Sequence, residues 1–378
     1  MNLHSRATAC LRAGLFGAGL AIALASCGGG GDGGGSMQMN PPPVTPTIAS
    51  AFATRPLVAD SGSGAEHLDG HLVNAWGIAF NPTGFVWVAN NGSATSTLYD
   101  GNGVPQTLVV AIPPGSAGTS SPTGIVYNGS TSFQVTQNGV SGASAFIFAT
   151  ENGTLSGWSP AVNRNNAVLA VDTGASGAVY KGLAIATYAG ANYLYAADFR
   201  NARVDVYDAG WNRVTLPGGA FADPNLPAGY APFGIQAIGG RIVVAYAQRT
   251  TGSIDETKGA GLGIVDVFDA SGALVKRLVT GGALNAPWGL AMAPANFGAA
   301  SNMLLVGNFG DGKINAYNAD TGAFAGTLMR ADRSAIVIDG LWGIAFGNGV
   351  NNQPTNTLFY AAGPGDEAHG AYGRIDPQ

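Results

Sequence analysis

The sequence predicts an all-β chain folded as a six-bladed β-propeller whose last blade is closed by a strand from the N-terminal side. Three observations predict it. A glycine-centred strand opening recurs six times, each copy is followed by further short strands, and no helical periodicity competes with them.

The opening is Trp76-Gly77-Ile78-Ala79-Phe80 in the first unit and Thr123-Gly124-Ile125-Val126-Tyr127 in the second. It returns as Lys181-Gly182-Leu183-Ala184-Ile185, Phe233-Gly234-Ile235, Trp288-Gly289-Leu290-Ala291-Met292 and Trp342-Gly343-Ile344-Ala345-Phe346. Successive glycines lie 47 to 58 residues apart. A minimal four-stranded blade needs about 40 to 45 residues, so the excess is expected in loops. A second apolar run ends in polar residues, as in Phe85–Asn90, Phe146–Glu151, Tyr193–Asp198 and Met303–Asn308. A third, alternating strand follows, as in Arg203–Asp208, Gly263–Asp269 and Lys313–Tyr317. An outer strand completes five units, among them Thr107–Val110, Ala167–Val171, Val275–Val279 and Gly326–Arg330. The sixth unit has none, and Arg55–Asp60 has the pattern to replace it, closing the ring and removing free edges.

Ahead of the repeats, Arg6 and Arg12 precede an apolar run, Leu15 to Leu24, too short for an ordinary membrane span. It reads as a signal peptide over residues 1–26. The run ends in Leu24-Ala25-Ser26-Cys27, which resembles the lipobox of bacterial lipoproteins. The resemblance implies acylation of Cys27, a membrane partner through that anchor, and a place in the bacterial cell envelope. Gly28 after the cysteine, rather than Asp, implies the outer membrane. The alternative is a plain secretory signal with a chance cysteine. Residues 27–50, with Gly28–Gly31, Gly33–Gly35 and Pro41–Pro43, are expected to be a tether spanning roughly 25–30 Å. The propeller is expected over 51–378.

Composition agrees with an exported binding surface more than with nucleic-acid binding. Removing residues 1–26 takes away two arginines and no acid, which moves the net charge from −5 to −7. Charged residues are only 10% of the chain, so Asn, Ser, Thr and Gly must supply much of the surface. Cys10 leaves with the leader and Cys27 is acylated, so the fold must stand on its core without a disulfide.

Ala197-Asp198-Phe199-Arg200-Asn201-Ala202-Arg203-Val204 resembles the NHL repeat in its Asp, Asn and Arg spacing. Leu57-Val58, Leu72–Ile78, Thr97–Asp100 and Gly363–Gly370 together resemble a bacterial family of uncharacterised secreted propellers. Some members of that family carry an exosortase-type C-terminal sorting signal. The likeness runs from about residue 52 to 376. The chain departs from the family in having no sorting tail and in placing Ala75 where a proline is expected. The resemblance implies secretion and an NHL-like propeller, with no established activity.

In a propeller, the start of each first strand and the end of each second strand share one face around the channel, the default binding surface. That rule selects Asn74, Asn90, Glu151, Lys181, Asp198, Arg200, Gln248, Arg249, Asn308 and Asp311 as ligand-binding candidates. The competing explanation for the Asn and Asp members is an Asx-turn that satisfies backbone N–H groups. His67, His71 and His369, with Asp366, Glu367, Glu66 and Asp69, fall in adjacent loops of the same face. Imidazoles beside carboxylates suit a divalent metal, Zn²⁺ or Ca²⁺, or an acid/base pair, so His67, His71, Asp366, Glu367 and His369 are the candidate ligands. Solvated loop residues are the alternative. Trp76, Trp288 and Trp342 are expected to pack at the channel mouth, with sugar stacking as the lesser possibility. The polar loop Arg249–Gly261, carrying Asp255, Glu256 and Lys258, reads as a lid or a mobile insertion. Two functions follow: a binding module for a protein, glycan or small molecule, or a metal-assisted hydrolase or lyase. Serine-hydrolase, phosphate-loop and dinucleotide signatures need a strand-to-helix context that this chain lacks.

Overall fold

In the computed structural model the described residues are 48–378 except Ser63, so Cys27, the leader and most of the tether lie outside them. Six sheets stand around one channel. Blade 1 is Ala75–Phe80, Val86–Asn90, Thr95–Tyr99 and Val110–Ala111, and each later blade repeats that innermost-to-outermost order. Every ladder within the six blades' four-strand order is antiparallel, as two-residue turns and short loops between consecutive strands require. Among the described residues the only helices are the 3₁₀ turns Gly174–Ser176 and Gly298–Ala300, and none is long and apolar enough to cross a membrane.

The closure expected from sequence is present. Phe52–Ala59 pairs antiparallel with Ala371–Pro377, from Phe52 opposite Pro377 to Ala59 opposite Ala371, and so supplies the outer strand of blade 6. His67–Leu68 adds a short parallel edge outside it. The propeller begins slightly earlier than expected. Ile48 is buried beside Phe52 and Phe297, so the last residues assigned to the tether belong to the blade 5–6 core.

Alternation along each strand sends apolar side chains to both faces of a blade, because each blade is covered by a neighbour on both sides. Six apolar cores result, one between each pair of blades, and a seventh fills the channel mouth. The blade 1–2 core shows the usual content: Trp87 stacks on Phe146 with ring centroids 4.2 Å apart.

The recurring glycine explains the ring. In all six first strands the pairing with the second strand is broken by a bulge beside that glycine. There the strand bends towards the next blade. A β-carbon at Gly77, Gly124, Gly182, Gly234, Gly289 or Gly343 would come closer than 3.0 Å to that neighbour's backbone, nearer than real β-carbons approach. One expectation fails: the excess residues of blade 2 are not all loop. Gln134–Gln137 and Val140–Ala143 form an extra hairpin whose neighbour Phe133 is fully buried against Trp211 of blade 3.

The glycine ring predicts a graded cost. The clash is tightest at Gly234, against the Trp288 carbonyl, and mildest at Gly182, 2.9 Å from the Phe233 oxygen. Gly234→Ala should lose about 1–3 kcal/mol in denaturant unfolding and Gly182→Ala less. Gly70→Ala, where nothing lies within 4 Å, should fall within about 0.5 kcal/mol of the parent.

Candidate functional site

The residue before each glycine stands at the mouth end of its first strand: Trp76, Thr123, Lys181, Phe233, Trp288 and Trp342. Four are aromatic, and they close the mouth. Trp342 is sandwiched between Trp76 and Phe309, with centroid separations of 3.6 and 3.9 Å, while Trp288 meets Trp76 and Trp342 edge-on. Phe199 and Phe233 complete the plug. The tryptophans are therefore packing residues. Trp342 donates its indole N–H to Asn74 Oδ1 at 3.2 Å and Trp288 donates to the Lys181 carbonyl at 2.8 Å. The Trp76 Nε1 is buried without a hydrogen-bond partner among the described residues.

Lys181 is the exception in this ring. Its side chain is 2% exposed, and its ammonium lies 5.2 Å from the Trp76 ring centre and 6.0 Å from that of Phe199. Burial opposes its charge, but Glu151, Glu256 and Asp255 outweigh burial and hold its pKa above the ordinary lysine value. Glu151 Oε1 accepts from Nζ at 2.6 Å, and Asp255 Oδ1 lies 3.5 Å away. Glu151 Oε2 accepts from Asn91 at 2.9 Å, and Asn91 Oδ1 accepts from Asn74 at 3.3 Å. One polar chain thus runs from Trp342 in blade 6 through blades 1 and 2 to Lys181 in blade 3.

The loop from Arg249 to Gly261 lies over this cluster as a lid. The Thr257 N–H donates to the Gln248 carbonyl at 2.7 Å, and Gly259 N–H donates to Asn285 Oδ1 at 2.7 Å. At its base Arg249 donates to the Arg200 carbonyl at 2.7 Å and covers the Phe199 ring. Lys258 places its ammonium 4.3 Å from the Phe309 ring centre. Beside it, Asp311, Asp339 and Asp366 line a cavity of about 180 Å³. Desolvation raises the Glu256 carboxyl above its ordinary value, with Lys181 pulling the other way. Glu367 is half-buried and pushed up to about 7, first by burial and then by the charges of Glu151 and Glu256, against the pull of Lys181.

The sequence-selected residues divide into three groups. Asn74, Glu151 and Lys181 meet at the mouth, and Glu367 joins them electrostatically. Arg200 and Gln248 serve the lid through their carbonyls, and Asp311 and Asp366 border the side cavity. Asn90, Asp198 and Asn308 are fully buried. Asn90 donates to Thr95 and Thr97, Asp198 accepts from Val179 and Asn201, and Asn308 donates to Ala283 and Asp311. They clamp the strand ends, with their side chains turned into the fold. One position further along each chain lie the residues that do reach the mouth: Asn91, Phe199 and Phe309.

The five expected metal ligands do not converge. His71 Nδ1 is 3.1 Å from Asp69, His369 Nδ1 is 3.1 Å from Asp60, and both imidazoles are 56% exposed. His67 sits on the outer edge opposite Val58. Asp366 faces the side cavity and Glu367 the mouth. Glu66 is taken up by Arg55 in a forked ion pair. Among the described residues no group of three or more His, Cys, Asp or Glu side chains is placed to hold a metal ion. His71 and His369 are instead each held by a neighbouring loop aspartate, Asp69 and Asp60.

No protein-family model matches the sequence. The uncharacterised protein R648 of Acanthamoeba polyphaga mimivirus is 31% identical over 325 residues, covering 84% of this chain and 78% of that protein. This relative is viral, whereas the family resemblance read from the sequence pointed to bacteria. Among solved structures, a protein of unknown function from Bacteroides thetaiotaomicron aligns with a TM-score of 0.54 at 11% identity, over 87% of this chain and 76% of that one. A glucose dehydrogenase aligns with a TM-score of 0.50 at 12% identity, over 85% of this chain and 98% of that one. These likenesses are of fold alone, and the fold is the six-bladed propeller. By the sequence match, the chain belongs to the family of the uncharacterised mimivirus protein R648.

Proposed function

We propose that this protein is an exported binding propeller. It is held at the outer face of a bacterial envelope by a lipid on Cys27, and its channel-mouth cluster captures a small polar ligand beneath the lid. One observation carries the binding reading. Lys181 occupies a ring position that other blades fill with Trp, Phe or Thr, and it is kept charged there although an apolar residue would close the plug better. Four carboxyls, Glu151, Asp255, Glu256 and Glu367, act on one ammonium, so the site suits a ligand that donates hydrogen bonds, an amine or a sugar hydroxyl. The lid residues Asp255 and Glu256 would then contact the ligand from above. Export rests on the leader and the Leu24-Ala25-Ser26-Cys27 motif, and the Gly-rich run provides the reach from membrane to propeller.

A second reading, a hydrolase or lyase, is favoured by Glu367. A carboxyl with a pKa of about 7 can give or take a proton at neutral pH, and it stands among groups that could orient a bound molecule.

Three outcomes check these readings. A panel of primary amines and neutral sugars in thermal-shift assays should include a class that stabilises the parent. The double variant Lys181→Met with Glu151→Leu should stay folded, losing at most about 3 kcal/mol because Glu256 and Glu367 can take up protons once the ammonium is gone, and should show no such shift. An equal ligand shift in the double variant, or none in the parent, would sink the binding reading. In bacteria fed labelled palmitate, the parent should carry label in the membrane fraction and Cys27→Ser should be unlabelled. Label on the variant, or its absence from the parent, removes the anchor. For Glu367, the fold favours the neutral acid, so its contribution is fully present below the ordinary value of 4.5 and is lost as pH rises through about 7. The melting temperature of the parent relative to Glu367→Gln should therefore fall between about pH 4.5 and pH 7.5 and then level off.

A further inference from the structure

Below the glycine ring the channel widens into a funnel of about 550 Å³ that opens on the opposite face. The aromatic plug and the glycine waist close it above, where only about 20 Å³ remains between the inner strands. Its chemistry is the reverse of the mouth. Among the described residues no charged side chain lines it. Ile78, Ile125, Ile185 and Ile344 form its wall, with Phe80 and Phe346 near the rim.

The repeat shows where this wall departs from a plain core. Two places after each glycine stand Ala79, Val126, Ala184, Ala291 and Ala345, five small apolar residues, while blade 4 has Gln236. That amide is exposed into the funnel, and among the described residues the Tyr127 hydroxyl is the only other hydrogen-bonding side-chain group of the lining. The inner strands' backbone shares this wall about equally with apolar side chains, and an uncharged cavity of this size with one or two placed polar side chains has the make-up of a small-molecule site. The missing charge selects the ligand, because an ionised head would lose hydration without a counter-charge.

We infer that the lower funnel binds an uncharged molecule bearing a carbonyl or hydroxyl oxygen, whose body fills the space between the inner strands and whose oxygen meets the Gln236 amide. This site is separate from the charged mouth and does not depend on what the mouth binds. Its volume suits a body of drug-like size.

The uncharged naphthyl ketone dye prodan tests it, since its emission shifts to the blue in apolar surroundings. The parent chain should bind it saturably at one per molecule. Ala345→Trp, which fills the funnel, should weaken binding at least tenfold, and Met292→Trp at the rim is the second filling variant if the first fails to fold. Gln236→Leu, keeping the shape but losing the amide, should bind about three- to tenfold more weakly. The mouth variant Lys181→Met with Glu151→Leu should bind the dye as the parent does. A parent without a saturable signal, or a folded filling variant with parental affinity, overturns the site. Parental affinity in Gln236→Leu overturns the role of the amide, and loss in the mouth variant moves the dye to the other face.

Discussion

Six inner strands converge on one axis, and how closely they can approach is decided by the side chain each presents to its neighbour at the narrowest point. In every blade that residue is a glycine, with the next blade's backbone lying where a β-carbon would stand. The bulge beside it bends the strand towards that neighbour, so the same residue permits both the close approach and the turn of the ring. Interblade cores are then thin enough for one layer of side chains from each blade to fill them. Closure by Phe52–Ala59 has a different task. It covers the outer edge of the last blade, and without it the paired N–H and C=O groups of Ala371–Pro377 would face solvent.

The narrow waist fixes what stands above it. Residues preceding the glycines are brought so near the axis that four aromatic rings, with Phe199 and Phe309 added, close the mouth completely. A lysine in that ring is costly, because its ammonium leaves water. The cost is offset by Glu151 at 2.6 Å, by the lid's Asp255 and by two ring faces. Burial first, and then the carboxyls gathered for that purpose, push the Glu367 pKa up to about 7. The cluster therefore resists dissection into independent residues: changing Lys181 alone would leave Glu151 and Glu256 uncompensated.

Strand content, blade number and the split last blade were legible because they follow from local alternation and from a glycine that only a repeat could place six times. The extra hairpin of blade 2 was not, since Ser, Gly, Gln and Asn in residues 128–143 have loop composition. Burial of Phe133 against blade 3, a contact between units, orders them. Half of the site was legible for a similar reason. The channel-face rule found Asn74, Glu151 and Lys181, but it stopped at the strand's last residue. There alternation turns Asn90, Asp198 and Asn308 inward, and their successors Asn91, Phe199 and Phe309 reach the mouth. The signal was present in Asp198-Phe199 and Asn308-Phe309, where an aromatic follows the polar residue in two blades. Nearness of histidines in adjacent loops does not fix where their side chains go: His71 and His369 each turn to a loop aspartate 3.1 Å away, and His67 lies on the outer edge.

Departure from the repeat is the more general guide to function here. A residue that matches its five counterparts is explained by the fold they share, whereas one that differs, and costs folding energy by differing, needs another reason. Lys181 is such a residue one place before the glycine, and Gln236 is another two places after it. They lie in neighbouring blades but on opposite sides of the waist, one in a charged mouth under a lid and the other in an open, uncharged funnel. The glycine ring and the aromatic plug keep those two environments apart. Charge at one end can therefore be tuned without polar groups entering the other, and a single narrow channel can present two chemically distinct surfaces.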